Sequence, residues 1–136
     1  SYLEDSKDMA KAESFIVKAV ELKPNDPYIL DSYGWLLFKQ GKMDLALKQI
    51  EHAVDLKPEE GVIIEHLADV YLKLNMKQKA LAAYEKALDR IADPKDQSRV
   101  NQKYENLANA IGIRARIPAS RPDMDGQEEV QVKAEK

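Results

Sequence analysis

Residues 25–58 read NDPYILDSYGWLLFKQGKMDLALKQIEHAVDLKP, and residues 59–92 read EEGVIIEHLADVYLKLNMKQKALAAYEKALDRIA. Laid on each other at a step of 34, Leu30 falls on Ile64, Gly34 on Ala68, Leu37 on Tyr71, Ala46 on Ala80, Ile50 on Tyr84 and Ala53 on Ala87. The same step backwards brings Ala12, Ile16, Ala19 and Val20 onto Ala46, Ile50, Ala53 and Val54. Agreement at so many positions marks an internal repeat. Units of this length bury their apolar faces only by stacking on one another.

Within each unit the apolar residues recur at helical spacing, as in Leu30, Tyr33, Gly34, Leu37 and then Ala46, Ile50, Ala53, Val54. Each unit is therefore read as two antiparallel helices. Asn25-Asp26-Pro27 offers a cap followed by proline at the first helical position. Gly41 and Asn75 stand where the opening helices must end in a left-handed residue, and Pro24 and Pro58 follow the closing helices. The spacing predicts helices over 8–22, 27–40, 43–56, 60–74, 77–91 and 96–111. Small residues have a mechanical purpose here, because Gly34 facing Ala46 and Ala68 facing Ala80 let paired backbones approach. The organisation expected is a partial repeat over 1–24, full repeats over 25–58 and 59–93, a capping helix over 94–112 and a tail over 113–136. Tyr2 and Leu3 align with the ends of opening helices, so the first unit lacks most of its opening helix and further repeats are expected upstream. Ala92 replaces the closing proline in the third unit, which predicts a closing helix running on towards Pro94.

These residues resemble the tetratricopeptide repeat, with Leu30, Tyr33, Gly34, Leu37, Ala46, Ile50, Ala53 and Pro58 matching one unit, and Ile64, Leu67, Ala68, Tyr71, Ala80, Tyr84 and Ala87 the next. The resemblance covers roughly residues 1–92. It implies an all-α solenoid of antiparallel helix pairs, closed here by a capping helix and followed by an extended tail. It also implies a non-catalytic adaptor or scaffold whose inner wall, built mainly from opening helices, takes a segment of a partner protein. The run Asp31-Ser32-Tyr33-Gly34-Trp35 with Gln40-Gly41-Lys42 is similar to a repeat version common in bacterial members, among them outer-membrane lipoproteins that act as adaptors. A bacterial source follows as the expectation, with cell envelope and cytoplasm both open.

Composition narrows the alternatives. Twenty-one Lys plus Arg against twenty-four Asp plus Glu leave a net charge of -3 and no basic excess, so composition gives no support for phosphate-backbone binding as the main task and no nucleic-acid partner is expected. The longest apolar stretch, Tyr33 to Phe38, is far too short to span a bilayer. The absence of Cys removes disulfides and thiol chemistry. No P-loop, dinucleotide or serine-hydrolase motif occurs, so neither a catalytic role nor a cofactor is expected. His66 and Asp69 form an i, i+3 pair with no third ligand at a matching spacing, so no metal site is expected and His66 is read as a surface residue.

Val100, Tyr104, Leu107 and Ile111 form a single stripe suited to a cap, with Arg99, Lys103 and their polar neighbours turned to water. The inner wall is expected to present Tyr28, Asp31, Trp35, Phe38, Glu65, Asp69 and Leu72, an aromatic and acidic surface for a basic or apolar protein segment. Members that clamp the terminal carboxylate of chaperones carry cations and amides where this chain has Asp31, Trp35, Glu65 and Asp69, which argues against that ligand. Beyond Gly112 the composition predicts a disordered tail, locally basic at Arg114, Arg116 and Arg121. The competing expectation is structural: self-association through the open N-terminal edge, or docking of that basic, proline-containing tail into an acidic groove.

Overall fold

The computed structural model describes residues 2–113. Six helices follow one another in that span: α1 (Tyr2–Leu22), α2 (Pro27–Lys39), α3 (Met43–Leu56), α4 (Gly61–Lys73), α5 (Lys77–Arg90) and α6 (Pro94–Ala110). No strand occurs among the described residues. The basic residues Arg114, Arg116 and Arg121 proposed for tail docking lie outside them.

Local chemistry explains the boundaries. Asp26 Oδ1 accepts from the backbone N–H groups of Tyr28 and Ile29 at 2.9 and 3.1 Å, and Pro27 enters the first turn with its φ already set. Gly41 and Asn75 adopt φ of 80° and 62°, turning the chain from α2 into α3 and from α4 into α5. Two expectations need correcting at the ends. Helix α1 begins at Tyr2, well before residue 8. Helix α5 stops at Arg90 without running on, because Pro94 opens α6, where Asp93 caps the N–H of Asp96 at 3.1 Å.

Helix α2 packs chiefly on α3 and α4 chiefly on α5, with α3 against α4 and α5 against α6 joining the pairs into a solenoid. One apolar cluster holds Leu30, Leu37, Ala46, Ile50, Ala53, Ile63 and Val70. The next runs from Ile64, Ala68, Ala80, Tyr84 and Ala87 into Val100, Tyr104, Leu107 and Ala108 of α6. The cap is thus continuous with the core.

Gly34 is where α2 meets α3. A Cβ there would lie 2.3 Å from Cγ1 and 2.9 Å from Cδ1 of Ile50, and 3.3 Å from the carbonyl oxygen of Ala46. Alanine has the better helix propensity by about 1 kcal/mol. Overpacking typically costs about 1–3 kcal/mol. Gly34→Ala is therefore expected to be net destabilising in chemical denaturation, with its midpoint lowered at unchanged slope. A midpoint raised by the propensity gain would show that the α2–α3 contact has slack.

Candidate functional site

Stacking the units brings the opening helices α2 and α4 and the cap α6 side by side, and their shared face carries a row of charged contacts between helices. Asp31 of α2 accepts from Nδ1 of His66 on α4 at 2.8 and 3.0 Å through its two oxygens. A carboxylate only accepts, so Nδ1 carries the proton. The imidazole stacks on Trp35 at a centroid distance of 4.5 Å, and Trp35 stacks on Phe38 at 4.8 Å with the rings 3° apart. His66, expected at the surface, is instead part of a bridge between two repeats.

One repeat further on the pattern becomes ionic. Arg99 of α6 donates from Nε to Glu65 Oε2 at 2.9 Å and from Nη2 to Oε1 at 2.6 Å, a fork matching the planar carboxylate. Lys103 donates to Glu65 Oε2 at 2.7 Å and reaches both oxygens of Asp69 at 3.1 and 3.2 Å. Tyr84 of α5 donates its hydroxyl to Asp69. Glu65 is only 2% exposed, whereas Arg99 and Lys103 remain 44% and 35% exposed. Burial pushes the Glu65 carboxyl up, but the hydrogen bonds and charges of Arg99 and Lys103 outweigh it and hold the group below the ordinary value. For the Lys103 ammonium, burial pulls down and the carboxylates more than offset that. The Tyr84 hydroxyl is pushed up, first by burial and then by the hydrogen bond to Asp69.

The expected wall residues therefore divide. Tyr28, Trp35, Phe38 and Leu72 keep surface in reach of a partner, Tyr28 and Leu72 being exposed and Trp35 and Phe38 half-buried. The Tyr28 hydroxyl donates to Glu60 at 2.8 Å, and Lys57 lies 5.8 Å from its ring. Asp31, Glu65 and Asp69 carry their charge into contacts with His66, Arg99 and Lys103. The acidic layer of the wall is already paired inside the chain. Arg99 and Lys103, read from sequence as water-facing, were missed as the counterions. A signal was available, since Arg99 stands 34 residues after Glu65 and Lys103 stands 34 after Asp69.

Beside the aromatic stack a groove of about 310 Å³ opens between α1 and α2, lined by Ala12, Ile16, Asp31, Ser32, Trp35, Leu36, Lys39 and His66. It is mainly apolar, with Lys39 and the Asp31–His66 pair on its wall. Among the described residues no group of three His, Cys, Asp or Glu side chains is arranged to hold a metal ion, and no helix is long and apolar enough to cross a membrane.

A solenoid of stacked helix pairs defines an all-α scaffold for protein–protein interaction. The profile of the Tetratricopeptide repeat matches residues 1–26, 28–60 and 63–94, and the chain belongs to that family. Among curated relatives, the TPR repeat-containing protein PA4667 of Pseudomonas aeruginosa is 40% identical over 52 residues, covering 38% of this chain and 9% of that protein. The anaphase-promoting complex subunit CDC16 of Saccharomyces cerevisiae is 31% identical over 86 residues, covering 58% of this chain and 10% of that protein. The chain thus spans about a tenth of the length of these relatives. The Yersinia enterocolitica type III secretion translocator chaperone SycD shares the fold, with a TM-score of 0.72 at 18% identity over 81% of this chain and 79% of that one. A bacterial source fits the Pseudomonas relative.

Proposed function

We propose that the chain is a non-catalytic adaptor that holds an apolar segment of a partner protein against Tyr28, Trp35, Phe38 and Leu72. The observation that carries this reading is the pairing of the wall's carboxylates. With Asp31 on His66, Glu65 on Arg99 and Lys103, and Asp69 on Lys103, a basic segment would have to displace existing partners. An apolar segment gains from the aromatic stack and the neighbouring groove without that cost. The same pairing bears on a basic tail docking into this wall, since its carboxylate acceptors are engaged.

The test uses residues whose loss leaves the core intact. Tyr28→Ala with Leu72→Asp alters two exposed positions, whereas Asp69→Lys would break the contacts to Lys103 and Tyr84. Partner capture by the immobilised chain is expected to fall at least about tenfold in this double variant, the effect of losing one or two anchoring contacts. Far-UV circular dichroism should be unchanged. Equal capture by a folded variant would remove the concave wall as the binding surface.

A further inference from the structure

The carboxylates of the wall are held by the chain itself, but not all of its cations are spent in holding them. Lys39 ends α2 and Lys73 ends α4, and the two stand 34 residues apart, at one register position of successive repeats. Each directly follows a wall residue that keeps surface, Phe38 or Leu72, and each lies one turn beyond Trp35 or Asp69. Both lysines are exposed, and neither makes a hydrogen bond or ion pair among the described residues. Arg99 and Lys103, by contrast, are bound to Glu65, Asp69 and Asp96. Helix α4 has α2 on one side and α6 on the other, so Lys73 stays uncommitted with both neighbours in place. One apolar side chain and one uncommitted cation thus recur together in each repeat.

Resting on the reading of the wall as a seat for an apolar segment, we propose that this segment is also acidic: an extended stretch that lays apolar side chains on Phe38 and Leu72 and carboxylates on Lys39 and Lys73. Charge decides the sign. Asp31, Glu65 and Asp69 already have donors, so the charges that a partner meets unopposed along this row are positive. The axes of packed helices lie about 8–10 Å apart, and α2 and α4 are in contact. In an extended chain every second side chain faces the same way, so acidic residues four apart, with an apolar one midway, span roughly 13 Å. The flexible lysine stems take up the difference. Exposed ion pairs add little affinity, so the two lysines serve mainly to select among apolar partners. A lysine in a last turn also complements the helix dipole, but that role moves stability and leaves the choice of partner unchanged.

The probes are three peptides with blocked ends, Gly-Phe-Ser-X-Ser-Leu-Ser-X-Gly, in which X is glutamate, glutamine or lysine. Titrated at low ionic strength into the full ¹⁵N-labelled chain, the glutamate peptide is expected to shift the amide signals of Phe38, Lys39, Leu72 and Lys73. It should bind at least about fivefold more tightly than the glutamine peptide, the effect of two exposed ion pairs. Salt at about 1 M should erase most of that preference. Lys39→Gln with Lys73→Gln should abolish it, whereas Lys39→Arg with Lys73→Arg should keep it, circular dichroism being unchanged in both. Equal binding of all three peptides at Phe38 and Leu72 would overturn the acidic partner and leave the apolar wall standing. Tightest binding of the lysine peptide, or a glutamate preference that survives the glutamine variant, would overturn it too. Shifts that avoid the wall, or none at millimolar peptide, would remove both readings.

Discussion

A chain ended after Asp93 is expected to lose its cooperative thermal transition, whereas one ended after Ile113 should melt as a single unit. Helix α6 buries Val100, Tyr104, Leu107 and Ala108 against a cluster that includes Tyr84, Ala87, Leu88 and Ile91. Covering the three larger side chains is worth roughly 5–9 kcal/mol as an upper estimate. Without α6 the other half of the cluster faces water, and Glu65 and Asp69 lose the cations that balance them. The sum rivals the whole stability of about 5–15 kcal/mol of a domain this size. Far-UV circular dichroism against temperature and the dispersion of amide signals provide the check. A shortened chain melting within a few degrees of the longer one would show that the first two helix pairs stand alone.

Replacing both cations, Arg99→Leu with Lys103→Leu, is expected to destabilise the chain by about 3–5 kcal/mol. The loss arises because Glu65 stays buried with its charge unopposed. At the scaling of a domain near 100 residues this lowers the melting temperature by about 10–20 °C. Adding Glu65→Leu should recover most of the loss, since removing a whole buried ion cluster is often neutral where breaking it is not. Failure of that rescue would mean that the two cations act through packing. Acidity supplies a second readout with a defined sign. In the native chain the Glu65 carboxyl lies below its ordinary 4.5, so its contribution is present above that value and disappears as pH falls through the lower, folded one. In the double variant burial alone remains and raises the carboxyl. Its penalty is then full at neutral pH and is relieved as pH falls through the raised value. The gap between the two proteins should narrow on acidification.

The step of 34 residues made the repeats, the helix pairing and the left-handed turns at Gly41 and Asn75 readable from the chain, because these depend on periodicity and on backbone conformations few residue types adopt. Tyr28, Asp31, Trp35, Phe38, Glu65, Asp69 and Leu72 were expected on one wall on the same ground. Which of them remain available to a partner was not. The acids of α4 look like a solvated face until α6 lays Arg99 and Lys103 across them, and His66 looks incidental until it meets Asp31 and Trp35 from the preceding repeat.

Local order and stacking direction follow from spacing along the chain, since a helix needs only its own neighbours to show its apolar face. The state of each charge depends on side chains about 34 residues away, and only the packed solenoid brings those together. Pairing and burial are properties of that assembled surface, which is why carboxylates that read from sequence as a free acidic face are, in the folded chain, already held by side chains of the neighbouring helices.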